Sequence, residues 1–145
     1  MSLPKLKVLV IDDSHVMRKV VINMIKLLPN YEVEIFDAEN GIQAEQILQD
    51  NWLHESPIQL IVSDWMMPEM SGVELLEKIR GVDHFKEVPV VMLTAETYNS
   101  QMARCIELGV YGYITKPFTQ EELLSVIEKC VLEKIKPQQP LQRAS

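Results

Sequence analysis

The chain is 145 residues long, with 14 Lys+Arg against 21 Asp+Glu and a formal net charge of −7. That length suits one domain with a core of its own, and 47% hydrophobic with 24% charged residues excludes a disordered or fibrous chain. The acidic balance argues against gripping nucleic acid through surface charge. No apolar run approaches the roughly 18–20 residues that a membrane helix needs. Met1-Ser2-Leu3-Pro4-Lys5 has no signal-peptide core, so a cytoplasmic location is expected.

Strand and helix patterns alternate along the chain. Leu6-Lys7-Val8-Leu9-Val10-Ile11 reads as a strand that stops at Asp12-Asp13. Met17, Val20, Val21, Met24, Ile25 and Leu28 then recur at helical spacing with one apolar face. Glu32 to Phe36 alternates polar and apolar, as a partly wetted strand does, and Asn40 with Gln43 signals the start of a helix carrying Ala44, Ile47 and Leu48. Ile58 to Ser63 is the third strand, ending at Asp64. Ser71 with Glu74 opens a helix whose core face is Val73, Leu75, Leu76 and Ile79. Val88 to Leu93 is the fourth strand and ends at Thr94; Met102, Cys105 and Ile106 mark the next helix, stopped by Gly109. Tyr111 to Thr115 is the fifth strand, before Lys116-Pro117. Thr119 with Glu122 caps a last helix with Leu123, Leu124, Ile127, Val131 and Ile135 inward. Cys105 and Cys130 fall in helical stretches without metal-ligand spacing and read as buried reduced thiols.

Five strand–helix units in succession predict an α/β fold: a five-stranded parallel sheet with helices on both faces. The order 2-1-3-4-5 is the common solution, with the partly polar second strand at an edge. Ligands of such sheets bind beyond the carboxyl ends of the strands, where the strand order reverses. Adjacent strands lie about 4.8 Å apart, so Asp12, Asp13 and Asp64 are expected to converge in one pocket flanked by Thr94 and Lys116. Three carboxylates against one ammonium leave that crevice negative, which either forces a proton onto a carboxylate or recruits a cation. A hard divalent cation such as Mg²⁺ accepts oxygen ligands and keeps exchangeable waters. Asp64 stands alone opposite a hydroxyl and an ammonium, the donor and counter-charge an acyl phosphate needs, and is therefore the expected nucleophile.

Ile11-Asp12-Asp13-Ser14, Ser63-Asp64-Trp65-Met66-Met67-Pro68-Glu69-Met70-Ser71-Gly72, Leu93-Thr94-Ala95-Glu96 and Gly112-Tyr113-Ile114-Thr115-Lys116-Pro117-Phe118-Thr119 together resemble a response-regulator receiver domain of the single-domain, CheY-like type. The resemblance implies the same fold over residues 5–136; from Pro137 the sequence has no periodicity, so 137–145 is expected to be a flexible tail or the start of a linker. It implies that Asp64 accepts a phosphoryl group from a phosphohistidine on a sensor histidine kinase or phosphotransfer protein. It implies Mg²⁺ held by Asp13 and Asp64, by Asp12 mainly through water, and by the main-chain carbonyl of Met66. Thr94 and Lys116 would bind the phosphoryl oxygens, and Tyr113 would be the aromatic switch that follows Thr94 inward. The Lys116–Pro117 bond resembles one that is cis in the family. Output would pass through the surface of the fourth helix, fifth strand and fifth helix, to a partner, an attached output domain or a second copy of the chain. The protein would thus be a monomer or a phosphorylation-dependent homodimer, in chemotaxis or another pathway, making no contact with nucleic acid or membrane. The side chains of Met66 and Glu96 overlook the route of the water that attacks the phosphorylated state, and Trp65 is expected half-exposed at the rim.

Two other classes share parts of this pattern. A haloacid-dehalogenase-like phosphatase also uses an Asp nucleophile with Mg²⁺, but wants a second acid two residues on, where this chain has Met66. A flavodoxin-type FMN carrier wants a phosphate-cradling Ser/Thr/Gly loop after the first strand, where Asp12-Asp13-Ser14-His15 would repel phosphate. A receiver is a phosphoacceptor that catalyses only its own phosphorylation and dephosphorylation, and is no enzyme acting on other substrates. His15, His54 and His84 show no ligand spacing.

Overall fold

Apolar runs at 8–11, 60–62 and 90–93 have no polar face to leave in water, so the strands they form are covered on both sides. The computed structural model describes residues 3–95 and 100–135, apart from the side chains of residues 100 and 101. Among these, five strands, β1 (Lys5–Ile11), β2 (Glu32–Ala38), β3 (Leu60–Asp64), β4 (Val90–Thr94) and β5 (Gly112–Thr115), alternate with helices α1 (His15–Ile25), α2 (Gly41–Leu53), α3 (Gly72–Arg80), α4 (Ser100–Glu107) and α5 (Gln120–Lys134). All neighbouring strands pair parallel in the order β2-β1-β3-β4-β5, as expected.

Two cores follow from the period-two alternation of the strands. Leu9, Ile11, Ile61 and Met92 pack with Ala44 and Leu48 of α2, Leu76 and Ile79 of α3, and Met102 and Cys105 of α4. Val8, Val10, Val62 and Leu93 face the other way, onto Val21 and Ile25 of α1 and Leu123, Ile127 and Val131 of α5. The caps are as the sequence predicts: Asn40, Ser71 and Thr119 each accept the amide of the third residue on, from Gln43, Glu74 and Glu122. Gly109 takes φ +74, a conformation costly for residues with a Cβ, and turns the chain out of α4 towards β5.

Several details differ from the sequence reading. β4 begins at Val90 rather than Val88, because Pro89 has no N–H to donate to a ladder. β2 runs on to Ala38, whose carbonyl accepts the Asp12 amide at 3.1 Å. Val20 and Ile106 are exposed, not core: α1 buries Val21 and Ile25 and α4 buries Met102 and Cys105, each leaving its neighbour on the water side. Trp65 is only 4% exposed and packs into the α2–α3 core, so it is not a rim residue. Both cysteines are buried free thiols, and burial pushes Cys130 up to about 12, so it stays protonated and inert. No helix among the described residues is long and apolar enough to cross a membrane. The 137–145 segment lies outside the described residues.

Lys7 is a buried cation the sequence reading passed over. Its Nζ donates to Asn51 Oδ1 at 2.6 Å and to the Ser56 carbonyl at 2.5 Å, beneath the Phe36 ring. It ties the end of α2 to β1 on the side of the sheet away from the strands' carboxyl ends.

Candidate functional site

Four strand ends build the site. In the β1–β3 ladder Ile11 pairs with Ser63, so the next residues, Asp12 and Asp64, leave the sheet at the same level. Asp64 in turn pairs with Leu93, which sets Thr94 one residue beyond on the adjacent strand. Thr94 pairs with Thr115, and its carbonyl accepts the Lys116 amide at 2.7 Å. Parallel register therefore brings together residues 50 and more positions apart in sequence.

One oxygen from each of Asp12, Asp13 and Asp64 lies within 4.8 Å of the others. Asp12 and Asp64 are buried; Asp13 is exposed. Lys116 Nζ donates to Asp64 Oδ1 at 2.8 Å, and the Trp65 amide donates to the same oxygen at 3.0 Å. Among the described residues, both hydrogen bonds to this carboxylate thus fall on Oδ1. Asp12 Oδ1 accepts the Ser14 amide at 2.8 Å, whereas Asp12 Oδ2 is buried with no hydrogen-bond partner among the described residues. Ser14, not either aspartate, is the cap of α1: its hydroxyl accepts the Met17 amide.

Burial pushes the Asp12 carboxyl above its ordinary value of 3.8; Asp64 and Asp13 add to the effect, while the Ser14 N–H and Lys116 oppose it. A carboxyl that holds its proton more tightly when folded than unfolded makes the fold lose stability as pH rises through the window just above 3.8. Asp12→Asn keeps the Oδ1 acceptor and removes the charge. In metal-free buffer at neutral pH it is expected to be more stable than the parent by about 1 kcal/mol, and less sensitive to pH in that window. A thermal melt showing the variant equal or weaker would contradict a cost of burying the Asp12 charge.

Gly72, at the start of α3, is the close approach that lets the site form. A Cβ there would stand 2.7 Å from the Asp64 carbonyl oxygen and 3.0 Å from Met92 Sδ, and the Gly72 amide donates to the Trp65 carbonyl at 3.0 Å. Since the obstacle is backbone, Gly72→Ala must push α3 off the strand end. The expected cost is about 1–3 kcal/mol in urea unfolding. Unchanged stability would mean that α3 shifts freely and does not brace Asp64.

The other expected site residues are placed as follows. The Met66 side chain is 71% exposed just beyond Asp64, and Tyr113 is 44% exposed on β5, opposite Met92 in the ladder. The Lys116–Pro117 bond is cis, as the resemblance implied. Glu96 lies outside the described residues. Arg18, which the sequence reading did not single out, reaches over the Asp12 main chain. An arginine on the first turn of α1, six residues after the acid, was the available signal.

The sequence profile of the response regulator receiver domain matches residues 8–128. The chain is 37% identical over 123 residues to the chemotaxis protein CheY1 of Helicobacter pylori strain J99, covering 85% of this chain and 94% of the relative. It is 35% identical over 124 residues to the chemotaxis protein CheY of Pseudomonas aeruginosa, covering 86% and 94%. Among solved structures, chemotaxis response regulator CheY4 of Vibrio cholerae superposes with a TM-score of 0.71 at 31% identity, covering 86% of this chain and 98% of that one.

Proposed function

The chain belongs to the response regulator receiver domain family, whose members signal through phosphorylation, and from that premise we propose that Asp64 is its phosphoacceptor, charged in a Mg²⁺-dependent reaction by the phosphohistidine of a sensor kinase or phosphotransfer protein in the cytoplasm. The observation that carries the reading is the convergence of Asp12, Asp13 and Asp64 with Lys116 on one carboxylate. Lys116 and the Trp65 amide engage Oδ1, which leaves Oδ2 as the attacking oxygen. A bond forms from Oδ2 to phosphorus as the phosphorus–nitrogen bond breaks. Its electron pair stays on the imidazole, which takes up a proton. Oδ1 becomes the carbonyl oxygen of the acyl phosphate, and the Lys116 ammonium and Thr94 hydroxyl stabilise the charge on the transferring oxygens.

The residues present fit a hard cation. Receiver domains bind Mg²⁺ at an acidic pocket, and here an all-oxygen donor set includes a buried Asp12 Oδ2 without a partner. Asp13, Asp64 and the Met66 carbonyl would hold the ion directly and Asp12 through water. When bound, Mg²⁺ supplies positive charge that offsets the phosphoryl oxygens. Neither alternative gains support, since Met66 carries no proton to transfer and the β1–α1 turn presents acids where FMN phosphate would sit.

The family's signalling proteins interact with histidine kinases and output partners, and the proposed output surface is α4–β5–α5. Ile106, Tyr113 and Leu132 expose apolar surface on those three elements. Tyr113, outward here, would move in behind Thr94 on phosphorylation and favour the partner-binding state. Incubation with Mg²⁺ and acetyl phosphate should add one phosphoryl group by intact mass, and chelation should prevent it. No added mass, or equal labelling without Mg²⁺, would refute the reading; turnover of general phosphate esters would favour a phosphatase.

A further inference from the structure

Three of the four polar groups of Asp12 are fixed. Its amide donates to the Ala38 carbonyl at 3.1 Å, its carbonyl accepts Arg18 Nη1 at 2.7 Å, and Oδ1 accepts the Ser14 amide at 2.8 Å. Among the described residues only Oδ2 is left without a partner, and it is buried. The guanidinium that holds the Asp12 carbonyl also donates through Nε to Asp37 Oδ2 at 2.8 Å, on the adjacent edge strand, and Nη2 lies 3.4 Å from His15 Nδ1. The Arg18 side chain is 11% exposed and held between α1, the end of β1 and the end of β2 by these contacts. One planar fork thus ties together a helix and two strand ends at the root of an acidic cluster, a task a lysine's single ammonium cannot perform.

The geometry points to Arg18 as a positioning residue for the phosphoacceptor pocket: by clamping the Asp12 carbonyl to Asp37 it fixes the direction of the buried Asp12 Oδ2 and preorganises the cluster for a cation. This rests on the reading above that Asp12, Asp13 and Asp64 hold Mg²⁺. Two effects of Arg18 oppose each other. Its positive charge beside the carboxylates works against a cation, though Asp37 neutralises most of it, while its hydrogen bonds spare the cluster the cost of ordering on binding. Preorganisation wins because the paired charge has little net field, whereas an unheld Asp12 main chain must be fixed anew by each ion that binds.

The test is Mg²⁺ affinity of the full chain by titration calorimetry at one pH and ionic strength, for the parent, Arg18→Lys, Arg18→Met, Asp37→Asn and Asp13→Asn, with thermal melts in metal-free buffer alongside. Arg18→Lys keeps the charge and loses the fork, so a weakening of about tenfold is expected, with Arg18→Met similar. Asp37→Asn should weaken binding in the same direction, and combining it with Arg18→Lys should add little further. If charge alone matters, Arg18→Met binds Mg²⁺ more tightly and Arg18→Lys matches the parent; either result overturns the proposal. Lower melting midpoints with unchanged affinity would show Arg18 to be a brace for α1 only, and would also overturn it. Should Arg18→Met fail to fold, Arg18→Lys and Asp37→Asn decide. If Asp13→Asn leaves affinity untouched, the Mg²⁺ pocket itself is wrong; if Asp13→Asn weakens binding and the Arg18 and Asp37 variants do not, only the positioning role fails.

Discussion

Asp64→Asn is expected to abolish phosphoryl uptake from acetyl phosphate while the protein still folds. The amide keeps the carboxylate's shape and an acceptor at Oδ1 for Lys116 Nζ and the Trp65 amide, so the hydrogen bonds at 2.8 and 3.0 Å survive in weaker form. It lacks the anionic oxygen that attacks phosphorus, and no neighbouring acid replaces it. Among the described residues neither Asp12 nor Asp13 shares the Lys116 hydrogen bond that places a counter-charge beside Asp64. Stability should change little: losing the charge on Asp64 removes repulsion from Asp12 and Asp13 but weakens the Lys116 pair. Intact-mass measurement after incubation with Mg²⁺ and acetyl phosphate reads the result. Parent-level labelling of the folded variant would move the acceptor to another residue and end this mechanism.

Lys116→Met should move two quantities in opposite directions. The ammonium faces the acidic cluster from the fifth strand's end and is the only hydrogen-bonding cation on Asp64 among the described residues. Without it the crevice is more negative, so Mg²⁺ should bind more tightly than in the parent. Phosphorylation should nevertheless slow by about 10²–10³, the usual loss when one preorganised donor to a developing oxyanion is removed. Before Mg²⁺ binds, the fold should lose on the order of 2–3 kcal/mol, since Asp64 keeps a buried charge without its partner. If affinity and rate fall together, Lys116 is a structural pair for Asp64 and not a participant in transfer. If neither changes, its contact with Asp64 has no bearing on the chemistry.

Most of the architecture was legible because the signals are local. Period-two and helical spacing, with Ser, Thr and Asn caps, fix where strands and helices begin from a few neighbouring residues. Five alternating units then leave one common sheet order. Asp64 and Lys116 were readable for a related reason: each sits where a strand pattern stops, and parallel sheets gather such ends at one edge. The misreadings share the opposite property. Trp65 follows a polar aspartate and precedes a turn, which reads as rim, yet it continues the period-two alternation of β3 on the face of Ile61 and lies in the core with α2 and α3. Ile106 fits the helical spacing of α4 as well as Cys105 does, and only the placement of α4 over α3 chose between them.

The amino-acid order by itself determined the five strand–helix units, their sequence in the sheet and the identity of the acids and the lysine that meet there. These follow from hydrophobic periodicity and steric rules that act over a few residues. The tertiary structure alone decided which oxygen of Asp64 is engaged, that Asp12 keeps one buried oxygen unpaired, that Gly72 must lack a side chain, and that Arg18 spans three elements. Each of those depends on atoms brought within hydrogen-bonding range from distant parts of the chain. Such distances are fixed only when register, helix placement and packing are satisfied at once.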